Sequence, residues 1–169
     1  MLPLFAFFPV LAAATGRPLS IQENWLGLTA GAILNNGLNE EIMMRGFVFR
    51  RLRIERSFWR AAALSTAYFA AYHLPMLATA GLMIGTIGVI IAIPTGLLTA
   101  YVYERGEQAS WASALVHAGT NAPAFLFTVG DLQPVATPVY LVTSVVLASA
   151  IVAVAFRRDR RAAGLRRAS

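Results

Sequence analysis

Cysteine and lysine are both absent from the 169 residues. Without cysteine, disulfide frameworks and thiolate metal sites are excluded. Charge of either sign is scarce, at 13% of residues where a soluble domain carries roughly 25%. The charges present are 14 arginines against 8 acids, a net +6. A basic excess raises nucleic acid as a partner, but these arginines cluster at the ends of apolar runs. That is the placement of membrane-flanking positive charge, so membrane lipid is the expected partner and nucleic acid is not. Arginine without lysine, beside abundant alanine, fits a GC-rich genome. The expected setting is a bacterial plasma membrane.

What fills the chain instead is apolar: 57% of residues are hydrophobic, in long runs free of acid and base. These runs lack the period-two alternation of a membrane β-barrel. The expected fold is all-α, a polytopic transmembrane helix bundle of about 5–6 membrane segments around a four-helix catalytic core.

Residues 1–24 read as a partial or marginal membrane segment and a connector. Pro3 and Pro9 interrupt the apolar stretch, which is short of the ~20 residues a span needs. A longer N-terminus is expected before it. Residues 25–156 form the expected core, and residues 157–169 an arginine-rich cytoplasmic tail. The core opens with a helix from Trp25 to Phe49, followed by an arm carrying Arg50, Arg51, Arg53, Arg56 and Arg60. From Ala61 to Tyr103 the only ionisable group besides the tyrosines is His73, room for two crossings that reverse near Gly81, with Pro75 kinking the first. The next apolar run, Gln108 to Gly130, contains His117 and Asn121, and a last span runs from about Pro138 to Phe156. If the Arg50–Arg60 arm is cytoplasmic, alternation of crossings brings the C-terminal tail to that same side, as its arginines require.

Three ionisable residues, Glu40, Glu41 and Arg45, break the first apolar helix. A charge at bilayer depth costs at least ~2.5–3.5 kcal/mol, so it is retained when paired, facing a wet cavity, or doing chemistry. Glu41 and Arg45 stand at i and i+4 in the acid-first order, the spacing of an ion pair. Glu40 points ~100° away, has no local cation, and is free to face a cavity as a general base. A helix end with an ion pair explains this stretch about as well. The two histidines tip the balance. Phe69 and His73, and His117 and Asn121, are each spaced by four and so share a helix face. A lone membrane histidine is commonly a helix–helix hydrogen-bond donor. Carboxylates, two imidazoles and a carboxamide at comparable depth instead fit hydrolysis. Glu40 and His73 would deprotonate a water while His117 and Asn121 donate to an oxyanion. The same groups could hold a divalent metal such as zinc, with Glu40, His73 and His117 the candidate ligands.

Glu40-Glu41-x-x-x-Arg45, Phe69-x-x-x-His73 and His117-x-x-x-Asn121, in that order, resemble the CPBP family of intramembrane proteases. That group includes the type II CAAX prenyl endopeptidases and Abi-like proteins. The resemblance covers about Trp25 to Phe156. It implies cleavage of a peptide bond in a membrane-associated peptide or protein, in prenyl-processing members after a lipidated cysteine. It also implies the roles just given, with Glu41 and Arg45 as structural support. The oligomeric state is not legible in the sequence. Two other classes compete: a non-catalytic immunity or scaffold protein of the same fold, and a small transporter with a proton relay. The relay leaves the Glu41–Arg45 spacing beside His-x-x-x-Asn unexplained.

Overall fold

In a computed structural model that describes residues 2–168, with side chains for 3–162, the chain is helical almost throughout. Helix α1 spans Leu2–Thr15. Pro9 lies inside it without breaking it, so the expected interruption does not occur. The connector is not featureless: β1 (Ser20–Ile21) pairs antiparallel with β2 (Phe127–Thr128), matching Ser20 with Thr128 and Ile21 with Phe127. A two-residue ladder has no periodicity to read in sequence, and it ties the entry of the core to the end of α7 (Ser110–Leu126).

The helix expected over Trp25–Phe49 is present but not uniformly α. After α2 (Trp25–Gly31) the backbone widens to π-helix over Ala32–Asn39, returns to α at Glu40 and Glu41, widens again over Ile42–Phe49, and closes in α3 (Arg50–Arg53). Such widening, with hydrogen bonds to i−5, is rare and concentrates at functional sites. Here it brackets the acidic pair.

Helix α4 (Phe58–Tyr72) ends at His73, where Pro75 terminates it instead of kinking it. Proline lacks the N–H needed to continue the ladder, and its ring clashes with the preceding turn. The short α5 (Met76–Thr79) follows, then a reversal at Gly81, whose φ of 86° lies in the left-handed region. Helix α6 (Leu82–Arg105) runs through Pro94 unbroken. Helix α8 (Gln133–Ala168) extends well past Phe156, so the arginine-rich segment is a continuation of the last helix.

Among the described residues, two helices are long and apolar enough to cross a membrane, Leu82–Arg105 and the stretch Gly130–Ala162. Their outward faces carry large apolar side chains such as Leu82, Met83, Val142, Val146 and Val154, an arrangement suited to lipid contact. The interior holds two main aromatic clusters. Leu4 and Phe8 of α1 pack on Tyr140 of α8, and Phe49 packs on Phe58 and Tyr103. The first fixes α1 and α8 to α7, because the Tyr140 hydroxyl donates to the Thr120 carbonyl at 2.8 Å. That bond lies one residue from Asn121.

Candidate active site

Arg45 and Glu41 are both fully buried, with Nε and Oε2 separated by 3.2 Å. The expected i,i+4 pair therefore forms even though π-helix begins between the two residues. Arg45 has two further contacts: Nη2 donates to the Gly96 carbonyl at 2.8 Å, and the guanidinium lies 4.8 Å from the Phe69 ring centroid. An ideal Cβ on Gly96 would fall 2.9 Å from Thr66 Oγ1 and 3.2 Å from Arg45 Nη2, so α6 carries no side chain where the guanidinium lies.

The second oxygen of Glu41 reaches a histidine on another helix. His117 Nδ1 lies 3.0 Å from Glu41 Oε1. A carboxylate already paired with arginine only accepts, so Nδ1 is the protonated nitrogen and Nε2 faces the other way. Glu40 Oε2 stands 3.9 Å from that Nε2. The ~100° split between adjacent carboxylates does not give them separate surroundings, as the helical wheel implied. It sets them on opposite edges of one imidazole. Helix α7 comes close enough for this because Gly37 has no side chain: a Cβ there would meet the Ala114 carbonyl oxygen at 2.8 Å.

His73 is held by its own helix. Its Nδ1 is 2.9 Å from the Phe69 carbonyl, which can only accept, so this nitrogen too carries the proton. In the neutral ring Nε2 is then left with a free lone pair. Phe69 lies between the charged groups, its ring 4.7 Å from the His73 ring and 5.6 Å from the His117 ring, both edge-to-face. The aromatic residue four before His73 thus packs against Arg45 and both histidines.

Glu40, His73, His117 and Asn121 all line one cavity of about 560 Å³, and the three sequence motifs meet there. This is the size range of small-molecule and peptide pockets. Asn36 and Thr95 line it as well, as does an apolar wall that includes Met76, Ile87, Ile91 and Leu141. Neither polar residue was a sequence candidate. Asn36 stands four before Glu40, a spacing that pointed to it, whereas Thr95 had no signal beyond its place beside Pro94. Glu40 Oε2 is buried without a hydrogen-bond partner. At 3.9 Å from His117 Nε2 it is too far for a direct bond, so both atoms keep capacity for a water or a substrate group.

A catalytic zinc requires three protein donors converging at about 2 Å from one point. Among the described residues no three histidine, aspartate or glutamate side chains converge so. His73 and His117 each engage Nδ1 with a protein acceptor and leave Nε2 open, as metal-bound histidines also do, so only the spacing of the donors bears on the fit. As placed, Glu40, His73 and His117 do not converge on one zinc position.

No curated protein and no solved structure matches the chain significantly. A family model described as type II CAAX prenyl endopeptidase Rce1-like matches residues 22–123, more than half of the chain. That span contains Glu40, Glu41, Arg45, Phe69, His73, His117 and Asn121, the residues on which the resemblance rested. The chain belongs to the Rce1-like family of type II CAAX prenyl endopeptidases.

Proposed function

We propose that the protein is an intramembrane endopeptidase that hydrolyses a peptide bond of a membrane-associated substrate with a water activated by Glu40 and His73. The observation that carries this reading is the convergence of Glu40, His73, His117 and Asn121 on one cavity with an apolar wall. The helical segment 25–53 with α4, α6 and α7 is the four-helix core. With α1 and α8 these helices make the membrane bundle of 5–6 segments, and the arginine-rich end is cytoplasmic.

Glu40 accepts a proton from the water as it attacks the scissile carbonyl, and the lone pair on His73 Nε2 holds the same water. The carbonyl oxygen, now an oxyanion, accepts from the Asn121 amide and from His117 Nε2. Because Nδ1 of His117 is committed to Glu41, donation from Nε2 requires the doubly protonated ring, and the buried Glu41 carboxylate is the counter-ion for it. Glu40 then passes its proton to the leaving amine, which regenerates the carboxylate. The apolar wall supports a lipid-bearing substrate, of which a prenylated cysteine of the CAAX type is the family's example.

A library of membrane-anchored peptides, with and without a prenyl group, tests the reading when incubated with purified protein. Cleavage that persists in chelator and disappears in His73→Ala is the expected result. Absence of cleavage from every peptide by the folded wild-type protein overturns it.

A further inference from the structure

Ten arginines gather at one end of the molecule. The Trp59 and Phe156 rings pack edge-to-face at 5.0 Å, bringing the start of α4 against α8. Arg105 at the end of α6 is 2.9 Å from Asp159 of α8, and Arg53 of α3 is 2.9 Å from Glu104 of α6. The ends of three segments are thereby fastened together. They carry Arg50, Arg51, Arg53, Arg56 and Arg60, then Arg105, then Arg157, Arg158, Arg160 and Arg161. Among the described residues only Glu55, Glu104, Glu107 and Asp159 oppose them, so these fourteen groups carry a net +6.

Directly below this end, between α6 and α8, lies an open apolar groove of about 310 Å³. It is lined by Tyr101, Ala150, Ile151, Val154, Ala155 and Arg158. On α8 these positions follow one another as a strip about 12 Å long, with small residues at 150 and 155 and the arginine at the charged end. Arg105 lies over the Tyr101 ring at 5.4 Å, with its guanidinium held by Asp159. Arg158, at the end of the slot, has no acid partner among the described residues, and an apolar slot that ends in such a charge matches an amphiphile with an anionic head.

We infer that this groove is a binding site for an anionic phospholipid, with one acyl chain along Ala150–Ala155 and the phosphate at Arg158. The site lies outside the catalytic cavity, and no residue proposed for catalysis lines it. The occupant is a whole lipid and not a free phosphate, because the charge and the apolar slot are continuous.

The test is native mass spectrometry of the purified full chain, loaded with equal amounts of phosphatidylglycerol and phosphatidylcholine. Preferential retention of phosphatidylglycerol is expected, with about a fivefold loss of that preference in Arg158→Gln, the factor one interfacial arginine contributes. Ala150→Phe fills the groove, leaves every arginine in place, and is expected to reduce retention of the acidic lipid. Arg17→Gln, at the opposite end, leaves it unchanged. Equal retention of the two lipids overturns the proposal, as does an Arg158→Gln variant with wild-type preference. Displacement of bound lipid by glycerol phosphate alone contradicts the role of the groove.

Discussion

Within the site, Glu41 bridges two other candidates although it is not one of the residues proposed to react. One oxygen faces Arg45 and the other faces His117. Removing one partner of a buried ion pair leaves an uncompensated charge, so Arg45→Ala is expected to destabilise the fold by about 3–5 kcal/mol. Thermal unfolding in detergent measures this. Phe69 packs on the same guanidinium and on both histidines, and Phe69→Ala is expected to cost about 3–5 kcal/mol by opening a cavity. Asn121 behaves differently. Its loss leaves no buried charge behind, and Asn121→Ala is expected to lower kcat by about 10²–10³-fold with little change in KM, the signature of a lost oxyanion donor. At this scale the sequence was informative where spacing was local. Glu41–Arg45 and Phe69–His73 both follow from i,i+4 geometry. The Glu41–His117 contact joins residues 76 apart, and no local pattern encodes it.

At the scale of elements, the site depends on how closely the segment 25–53 approaches α7. Gly37 sets that distance, and Gly37→Ala would place a methyl carbon 2.8 Å from the Ala114 carbonyl oxygen. Because backbone cannot swing aside as a side chain can, α7 must shift, at about 1–3 kcal/mol for overpacking. His117 lies one turn beyond Ala114 and moves with it. The variant is therefore expected to stay folded while losing activity through kcat, a split that steady-state kinetics resolves. The helices themselves were legible from long apolar runs bounded by arginine, Gly and Pro. Their internal character was not. Nothing in Ala32–Asn39 or Ile42–Phe49 signals π-helix, because the composition of these segments is as compatible with ordinary α turns. Pro75 illustrates a different ambiguity: a proline in an apolar run either kinks or ends a helix, and tertiary packing decides. The paired strands β1 and β2 were illegible for want of length.

For the whole molecule, charge is partitioned along the bundle. The end bearing Arg17, Glu23 and Asp131 is nearly neutral, with Arg17 and Asp131 3.4 Å apart, whereas the opposite end holds the positive excess. An all-helical membrane protein and its family follow from composition and three motifs. The cavity does not, because its apolar wall comes from α5, α6 and α8 residues that resemble any lipid-facing side chain until packing turns them inward. Since no three histidine or acidic side chains converge on a metal position among the described residues, exhaustive chelation and dialysis are expected to leave both cleavage and melting temperature unchanged. Loss of activity restored by added zinc would refute that expectation.

In the proposed mechanism Glu40 is the base for hydrolysis, and the later proton transfer depends on it. The most direct test of this role is the rate at which Glu40→Gln, reconstituted in liposomes, cleaves a membrane-anchored peptide that the wild-type protein cleaves. A fall of about 10²–10⁴-fold, the usual contribution of a general base, with an unaltered melting temperature is predicted. Cleavage by folded Glu40→Gln at the wild-type rate would contradict the account.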